Sequence, residues 1–474
     1  MEKMMQDNSK RAVSGMMMAL TAYYLFLVAY WVYAQMYYFA DGAYFFVHLL
    51  ETGNFLQLNP NRMNAHYATQ FLPVMAIKIL GIRDYALLSY LYGINLYLPQ
   101  LVSLAICYSL VKKDNAFLMV FPLLSLFGVS MNGSLVAISQ SHVMTSVFWP
   151  IIFYVTLKER VSLKDSFIFF ALVLVFMKSY ESALFLGPIL AFISFQKIVR
   201  KGGAQKILWG VATTLFFASA MIALREILHP YDAGNRMNFI MSVFELHRHY
   251  PAVLSMCFMI LIFISSFRPE LLKRHFIPIA CALFACMMLV SFSPIIYPHV
   301  IMPYLQYNAR VMTAYVIPPM AIFLYLIVNN RISVPRDSWN RIGILVAILI
   351  FGQISWHLIT ASQWNGFRKV FKQELSQHSG RVSFQDSILS RNRVGKQLVG
   401  PFLWNWSVPT LSILWSNGGN VSTIITNNPE YRAWEPFDPA RIENLPKIEP
   451  FGFSYMTYKE AIEMKRAYTI SDCQ

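Results

Sequence analysis

Apolar residues run through this chain in blocks of about twenty, the length needed to cross a hydrocarbon core. Polar and charged residues collect between the blocks. Read in order, the blocks fall at residues 13–36, 85–111, 115–131, 135–157, 166–178, 182–196, 207–225, 251–267, 276–293, 310–329 and 342–361. The first is too long for the core of a signal peptide and lacks a small-residue cleavage site, so it reads as a retained first span. Two further segments are apolar but mixed with polar groups. Residues 42–56 and 66–81 read as helices lying at the outer membrane surface or dipping into it.

Basic residues cluster at alternate ends of these blocks. Lys3, Lys10 and Arg11 precede the first. Later clusters are Lys112–Lys113, Lys158 with Arg160 and Lys164, Lys197 with Arg200 and Lys201, Arg268 with Lys273 and Arg274, and Arg331 with Arg336. Such a bias places these turns in the cytoplasm. The expected topology therefore has a cytoplasmic N-terminus, three outer loops at 41–83, 226–250 and 294–309, and residues 362–474 outside. That last region is rich in Asn, Pro, Trp and charge. It predicts a helix over 367–378, a second over 410–417 and a strand over 421–426. The expected fold is thus an all-α polytopic membrane protein with surface helices in its first outer loop. A transmembrane domain over 1–361 is followed by a small α+β extracytoplasmic domain over 362–474. No internal repeat or low-complexity tract is visible.

Composition agrees. Of 474 residues, 56% are hydrophobic and only 13% are charged, against about 25% charged in a soluble domain. The net charge of +15 would suggest nucleic acid in a soluble protein. Here the basic residues sit at span ends, where they meet anionic headgroups, so membrane lipids are the expected partners and nucleic acid is not. Cys107, Cys257, Cys281, Cys286 and Cys473 show no metal-ligand spacing and read as small apolar residues.

Candidate chemistry lies on the outer side. Asp41 follows the first span in YYFADGAYFF; a carboxylate beside an apolar run, flanked by aromatics, is a candidate base. The alternative is an N-cap for the next helix. Arg62, Lys78, Arg83, Lys178, Arg225 and Arg310 are basic residues on the side that should be poor in them. Each alone reads equally as a snorkelling side chain. Together they ask for an anion such as a lipid phosphate. MKSYES (177–182) sets Lys178 and Glu181 between two short apolar halves, as a functional break or as a hairpin with an ion pair. Tyr44, His66 and Glu181 are further substrate-binding candidates. The histidines do not cluster; His247 and His249 have no carboxylate at ligand spacing, so no metal site is expected. Walker, GxSxG, HExxH and GxGxxG patterns are absent. Sequons at Asn132, Asn405 and Asn420 would matter only in a eukaryotic lumen. Trp404, Trp406, Trp415 and Trp434 suit either a domain core or stacking on sugar rings.

This layout resembles the GT-C superfamily of membrane glycosyltransferases, which includes the protein mannosyltransferases and the lipid A aminoarabinose transferase. The pattern covers residues 13–361. FLPVMAIKILGIRDYALLSYLYGINLYLPQLVSLAICYSLVKK (71–113) is similar to that superfamily's surface helix, acidic turn and second span. VFMKSYESALFLGPIL (175–190) and NARVMTAYVIPPMAIFLYLIV (308–328) are similar to two later features. The resemblance implies a polyprenyl-phosphate-linked sugar donor and a lipid or glycan acceptor, with Asp41 as the catalytic base. Arg62, Lys78, Lys178 and Arg310 would hold the donor phosphate. Inverting transfer is the commoner outcome, and no nucleotide cofactor is required. Many members carry a paired acid in the first loop; here Gly42 follows Asp41, and Glu51 is too far along, so a divalent metal is not supported. The implied setting is envelope glycan or glycolipid synthesis on the periplasmic face of a bacterial inner membrane. Three rival readings differ in what they require. A transporter or flippase would show repeats and mid-membrane charges. An O-antigen polymerase or ligase would carry its large outer loop mid-chain. An assembly scaffold would need no acid at position 41.

Overall fold

The structure is a computed structural model. It describes residues 19–56, 62–82, 84–111, 113–131, 140–200, 202–229, 250–296, 302–378, 380–383, 386–391, 393–403, 407–415 and 422–425. Arg83, His247, His249, the three sequons, Trp404, Trp406, Trp434 and Cys473 lie outside the described residues.

The chain is largely helical. In order the helices are α1 (Ala19–Ala34), α2 (Asp41–Thr52), α3 (Met63–Lys78), α4 (Tyr85–Leu110), α5 (Asn115–Val129), α6 (Gln140–Leu157), α7 (Leu163–Phe176), α8 (Ala183–Arg200) and α9 (Gly203–Leu228). They continue as α10 (Tyr250–Phe267), α11 (Pro269–Ile296), α12 (Met302–Val328), α13 (Arg336–Gln377) and α14 (Val408–Trp415). Five helices, α4, α8, α9, α11 and α13, are long and apolar enough to cross a membrane. The arrangement is therefore multi-span. On α11, Ile277 and Leu289 are 72% and 70% exposed, the outward apolar surface expected of a helix that faces lipid.

Local chemistry explains the boundaries. The Asp84 carboxylate accepts from the Leu87 amide (2.6 Å) and starts α4. Ser162 and Asp165 form a reciprocal capping box on α7. Gly53, at φ 60°, ends α2 in a left-handed cap. On α4, a Cβ at Gly93 would come within 2.5 Å of the Tyr37 ring. Only glycine lets the chain after α1 approach that closely.

Two expectations meet a different arrangement. Residues 42–56 and 66–81 do form helices, but α2 is not a surface helix. Ala43, Phe45, Phe46, Val47, Leu49 and Leu50 are all at most 4% exposed. Later parts of the chain cover them. The helix expected over 367–378 is also not separate. It is the end of α13, whose 42 residues span about 63 Å, twice the thickness of a hydrocarbon core. The division at 361/362 thus falls inside one continuous helix. Beyond it, β1 (Gly380–Ser383) pairs in parallel with β4 (Ser422–Ile425). β2 (Arg393–Val394) and β3 (Gln397–Leu398) form a small antiparallel pair. The rings of Phe39, Trp364, Phe367, Phe402 and Trp415 make one continuous core. That shared core fastens the C-terminal segment to the turn after α1.

Candidate functional site

Asp41 opens α2 directly after a strained turn. Gln35 leaves α1 in the left-handed region (φ 56°, ψ 36°). Ala40 sits at φ 52°, ψ −120°, a conformation that suits glycine and costs an alanine about 1–3 kcal/mol. The surroundings hold it there. Trp364 Nε1 donates to the Ala34 carbonyl (3.0 Å) and Trp415 Nε1 to Gln35 Oε1 (2.9 Å). The Tyr38 hydroxyl donates to Ser89 (2.7 Å), and Tyr85 donates to the Leu414 carbonyl (2.9 Å). Asp41 is half-buried. Its carboxylate lies within electrostatic reach of Tyr92, whose buried hydroxyl has no hydrogen-bond partner among the described residues.

One turn along α2, Phe45 sets its ring edge-on to His66 (5.4 Å). His66 is 1% exposed. Its Nε2 approaches Gln140 at 3.5 Å, and its Nδ1 is buried without a partner among the described residues. Burial, and then the nearby Arg62 charge, lower the imidazole to about 4. It is therefore neutral near pH 7. Tyr44 stacks on His48 instead (5.9 Å).

Arg62 stands one turn before His66 on α3. Its Nε and Nη2 both donate to Glu181 Oε1, the first at 2.7 Å, and its guanidinium lies over the Tyr180 ring at 4.9 Å. Burial opposes that charge, and Glu181 more than offsets the effect, holding the group above its usual range. The start of α3 is also stitched to the α7–α8 turn. The Asn64 amide donates to the Lys178 carbonyl (3.1 Å), and its side chain donates to the Leu174 carbonyl (2.6 Å). Lys178, Tyr180, Glu181, Ser219 and Glu226 line a small, partly open cleft.

The structure thus brings Arg62, His66, Lys178 and Glu181 together, and Phe45 links them to the helix that Asp41 begins. Lys78 is elsewhere. It lies at the other end of α3, about 24 Å along the axis, and donates to Asn54 Oδ1 (2.7 Å). Arg310 lies within α12, and its side chain is outside the described residues. Arg225 is exposed near the end of α9. Sequence reasoning missed Glu226, which is 7% exposed, and Ser219. The signal for Glu226 was present: an acid ending an apolar run, next to Arg225. Trp415 is taken up by packing and by its bond to Gln35. Among the described residues no group of three His, Cys, Asp or Glu side chains is placed to hold a metal ion.

Comparison with protein-family models, with curated proteins and with solved structures returns no match.

Proposed function

We propose that this chain is a GT-C-type glycosyltransferase working on the outer face of a bacterial inner membrane. It moves a sugar from a polyprenyl-phosphate donor to an acceptor hydroxyl in envelope glycan or glycolipid synthesis. The observation that carries the reading is Asp41. A half-buried carboxylate on a strained, aromatic-walled turn is linked through Phe45 to a cluster holding Arg62 and Lys178. In this reading Asp41 takes the acceptor proton as the new glycosidic bond forms. The bond from the sugar to the donor phosphate breaks, and Arg62 and Lys178, with Arg310, stabilise the charge left on that phosphate. His66 is neutral, and with Nε2 accepting from the Gln140 amide its spare Nδ1 carries the proton and offers a donor to substrate oxygens between the two ends. Eleven spans, an inside N-terminus and an outside α+β C-terminal domain complete the proposal.

Asp41→Asn tests it. The substitution keeps the shape of the side chain and removes the base, so product in cells should fall by about 100-fold or more. A normally expressed variant with full glycan or lipid modification would remove Asp41 from the mechanism. For topology, a periplasm-only reporter fused at Gln474 should be active; a silent reporter on a stable fusion would overturn the eleven-span arrangement.

A lipid-linked glycan flippase is the second reading, and one residue favours it. His357 is fully buried in α13, and neither ring nitrogen is hydrogen-bonded among the described residues. An ionisable group inside a membrane span is often functional. Movement of labelled lipid between leaflets of liposomes holding only this protein would favour that reading over transfer.

A further inference from the structure

The last turns of α13 gather positive charge on one face. Arg368, Lys369 and Lys372 stand within about one turn of one another, and none pairs with a carboxylate among the described residues. The acid on this stretch is turned away from them. Glu374 is 1% exposed and accepts from the Ile388 amide (3.2 Å). Like charges four residues apart on a helix repel. Arg368 is also held in place. Its Nη1 donates to the Tyr33 carbonyl and its Nη2 to Asn365 Oδ1, each at 2.8 Å. Its guanidinium lies over the Tyr33 ring at 5.6 Å. The remaining N–H groups of Arg368, and the ammonium groups of Lys369 and Lys372, have no acceptor among the described residues.

Depth along the helix sets these cations at headgroup level. Arg341 and Arg368 are about 40 Å apart along α13. A bilayer with its headgroups measures about 40–45 Å, so Arg341 meets one surface and Arg368 the other. Tyr30, Tyr33 and Tyr90 lie within electrostatic reach of Arg368, as tyrosines do at a membrane interface. α1 runs alongside α13 in the same direction, since Tyr23 stacks on Phe351 and Tyr33 meets Arg368. An uncovered apolar strip starts directly beneath the guanidinium. Tyr33 is 58% exposed, and Phe26, about two turns deeper on the same face of α1, is 57% exposed. On α13, Phe351 is 44% exposed and shares a helix face with Lys369, about five turns away. Charge and apolar surface therefore lie on one side of the α1–α13 pair.

Charge narrows the ligand. Cations without a carboxylate attract a phosphate and repel an ammonium. A zwitterionic headgroup brings both groups, whereas a headgroup charged only at its phosphodiester brings what the face lacks. We propose that Arg368, Lys369 and Lys372 seat the phosphate of an anionic phospholipid whose acyl chains lie against Tyr33, Phe26 and Phe351. Arg368 presents a fork already ordered by Tyr33 and Asn365, so little freedom is lost on binding. The two lysines add charge at the rim. The site requires a membrane around α1 and α13 and does not rest on the transfer reaction.

The test takes the full chain from vesicles of equal parts phosphatidylglycerol and phosphatidylcholine with the same acyl chains. The lipid it keeps is counted by native mass spectrometry. Phosphatidylglycerol should be enriched by about fivefold or more, the scale of one basic residue at a membrane surface. Lys369→Gln combined with Lys372→Gln should remove most of that enrichment. Both side chains are exposed, so this variant should fold. Arg368→Lys keeps the charge and loses the fork, and should weaken the enrichment by a smaller factor. Lys206→Gln removes an exposed cation at the start of α9 and should leave it unchanged. Equal retention of the two lipids by the native chain overturns the proposal. An equal loss from Lys206→Gln also overturns it, because general attraction to a basic protein would then be the cause. Binding of glycerol phosphate by the delipidated chain as tightly as of phosphatidylglycerol overturns the acyl-chain contact. None of these outcomes depends on Asp41, whose substitution tests the transfer reaction separately.

Discussion

Around Asp41 the chain is held by rings and backbone strain; around Lys178 it is held by charge. The first region is dry. Trp364, Phe39, Phe402 and Trp415 pack edge to face, and two indole N–H groups pin the carbonyl and side chain that lead into the turn. The second region is open, and its geometry depends on Arg62 and Glu181, both 16% exposed at the side chain. The difference separates rigidity from responsiveness. Aromatic packing fixes a group against salt and pH, because it carries no net charge. An ion pair fixes a group only while both charges last and screening is weak.

The largest test of this contrast is Trp364→Ala. The side chain is fully buried and touches Phe39, Phe367, Phe402 and Trp415. Its removal should cost about 3–5 kcal/mol, read as a lowered unfolding midpoint in detergent. The salt dependence that the Arg62–Glu181 pair lends to stability should persist at temperatures where the variant is folded. A loss of both would show that the two regions are one mechanical unit.

His66 stands between the regions and gives the next effect. Its pKa is near 4 in the folded chain and near 6.5 when unfolded. The unfolded chain therefore binds the extra proton first. Stability should be flat above about pH 6.5 and fall by about 3 kcal/mol on acidification to pH 4. His66→Gln, which cannot titrate, should flatten that part of the profile. An unchanged acid limb in the variant would show that other groups set it.

Glu181→Gln should come third, near 2 kcal/mol. The pair is partly exposed, so the cost of leaving Arg62 without its carboxylate is well below that of a fully buried pair. This loss should shrink when salt is added to the native chain's own measurement, whereas the cost of Trp364→Ala should not change.

Much of this architecture was legible in the sequence, and the exceptions share a cause. The helices could be read because each depends only on its own run of apolar residues. α7, α8 and α9 lie within a few residues of the blocks at 166–178, 182–196 and 207–225. The strand expected over 421–426 is Ser422–Ile425. What could not be read were pairings across long stretches of chain. Burial of α2 comes from His66, Tyr85 and Tyr92 and from α14, which packs on it from beyond position 400. Glu181 meets Arg62 across 119 positions. Sidedness, read from charge, grouped Lys78 with Arg62 because both were expected on the outer side. It carries no information on position along a helix axis, and α3 sets the two at opposite ends. Glu226 was passed over because a single acid at a span end reads as a solvated group; only the fold closes α8 and the α7–α8 turn over it.

Ala40→Gly is the smallest expected effect and bears most directly on how Asp41 is held. Alanine at φ 52°, ψ −120° is strained, and glycine is not, so the folded state should gain about 1 kcal/mol. Glycine also frees the unfolded chain by a few tenths to 1 kcal/mol, which partly offsets the gain. Net stability should therefore rise slightly or stay level. Position, however, should suffer. The alanine confines the backbone just before Asp41, and glycine widens the range that the carboxylate can visit. If the strain is there to aim Asp41, the variant should be at least as stable as the native chain yet form less product. A variant equal to the native chain in both respects would mean that the aromatic wall alone aims the carboxylate. A clear loss of stability would mean that Ala40 is favoured in this conformation by its packing, since its side chain is 1% exposed. The three outcomes separate backbone strain from ring packing as the device that holds the dry half of the site.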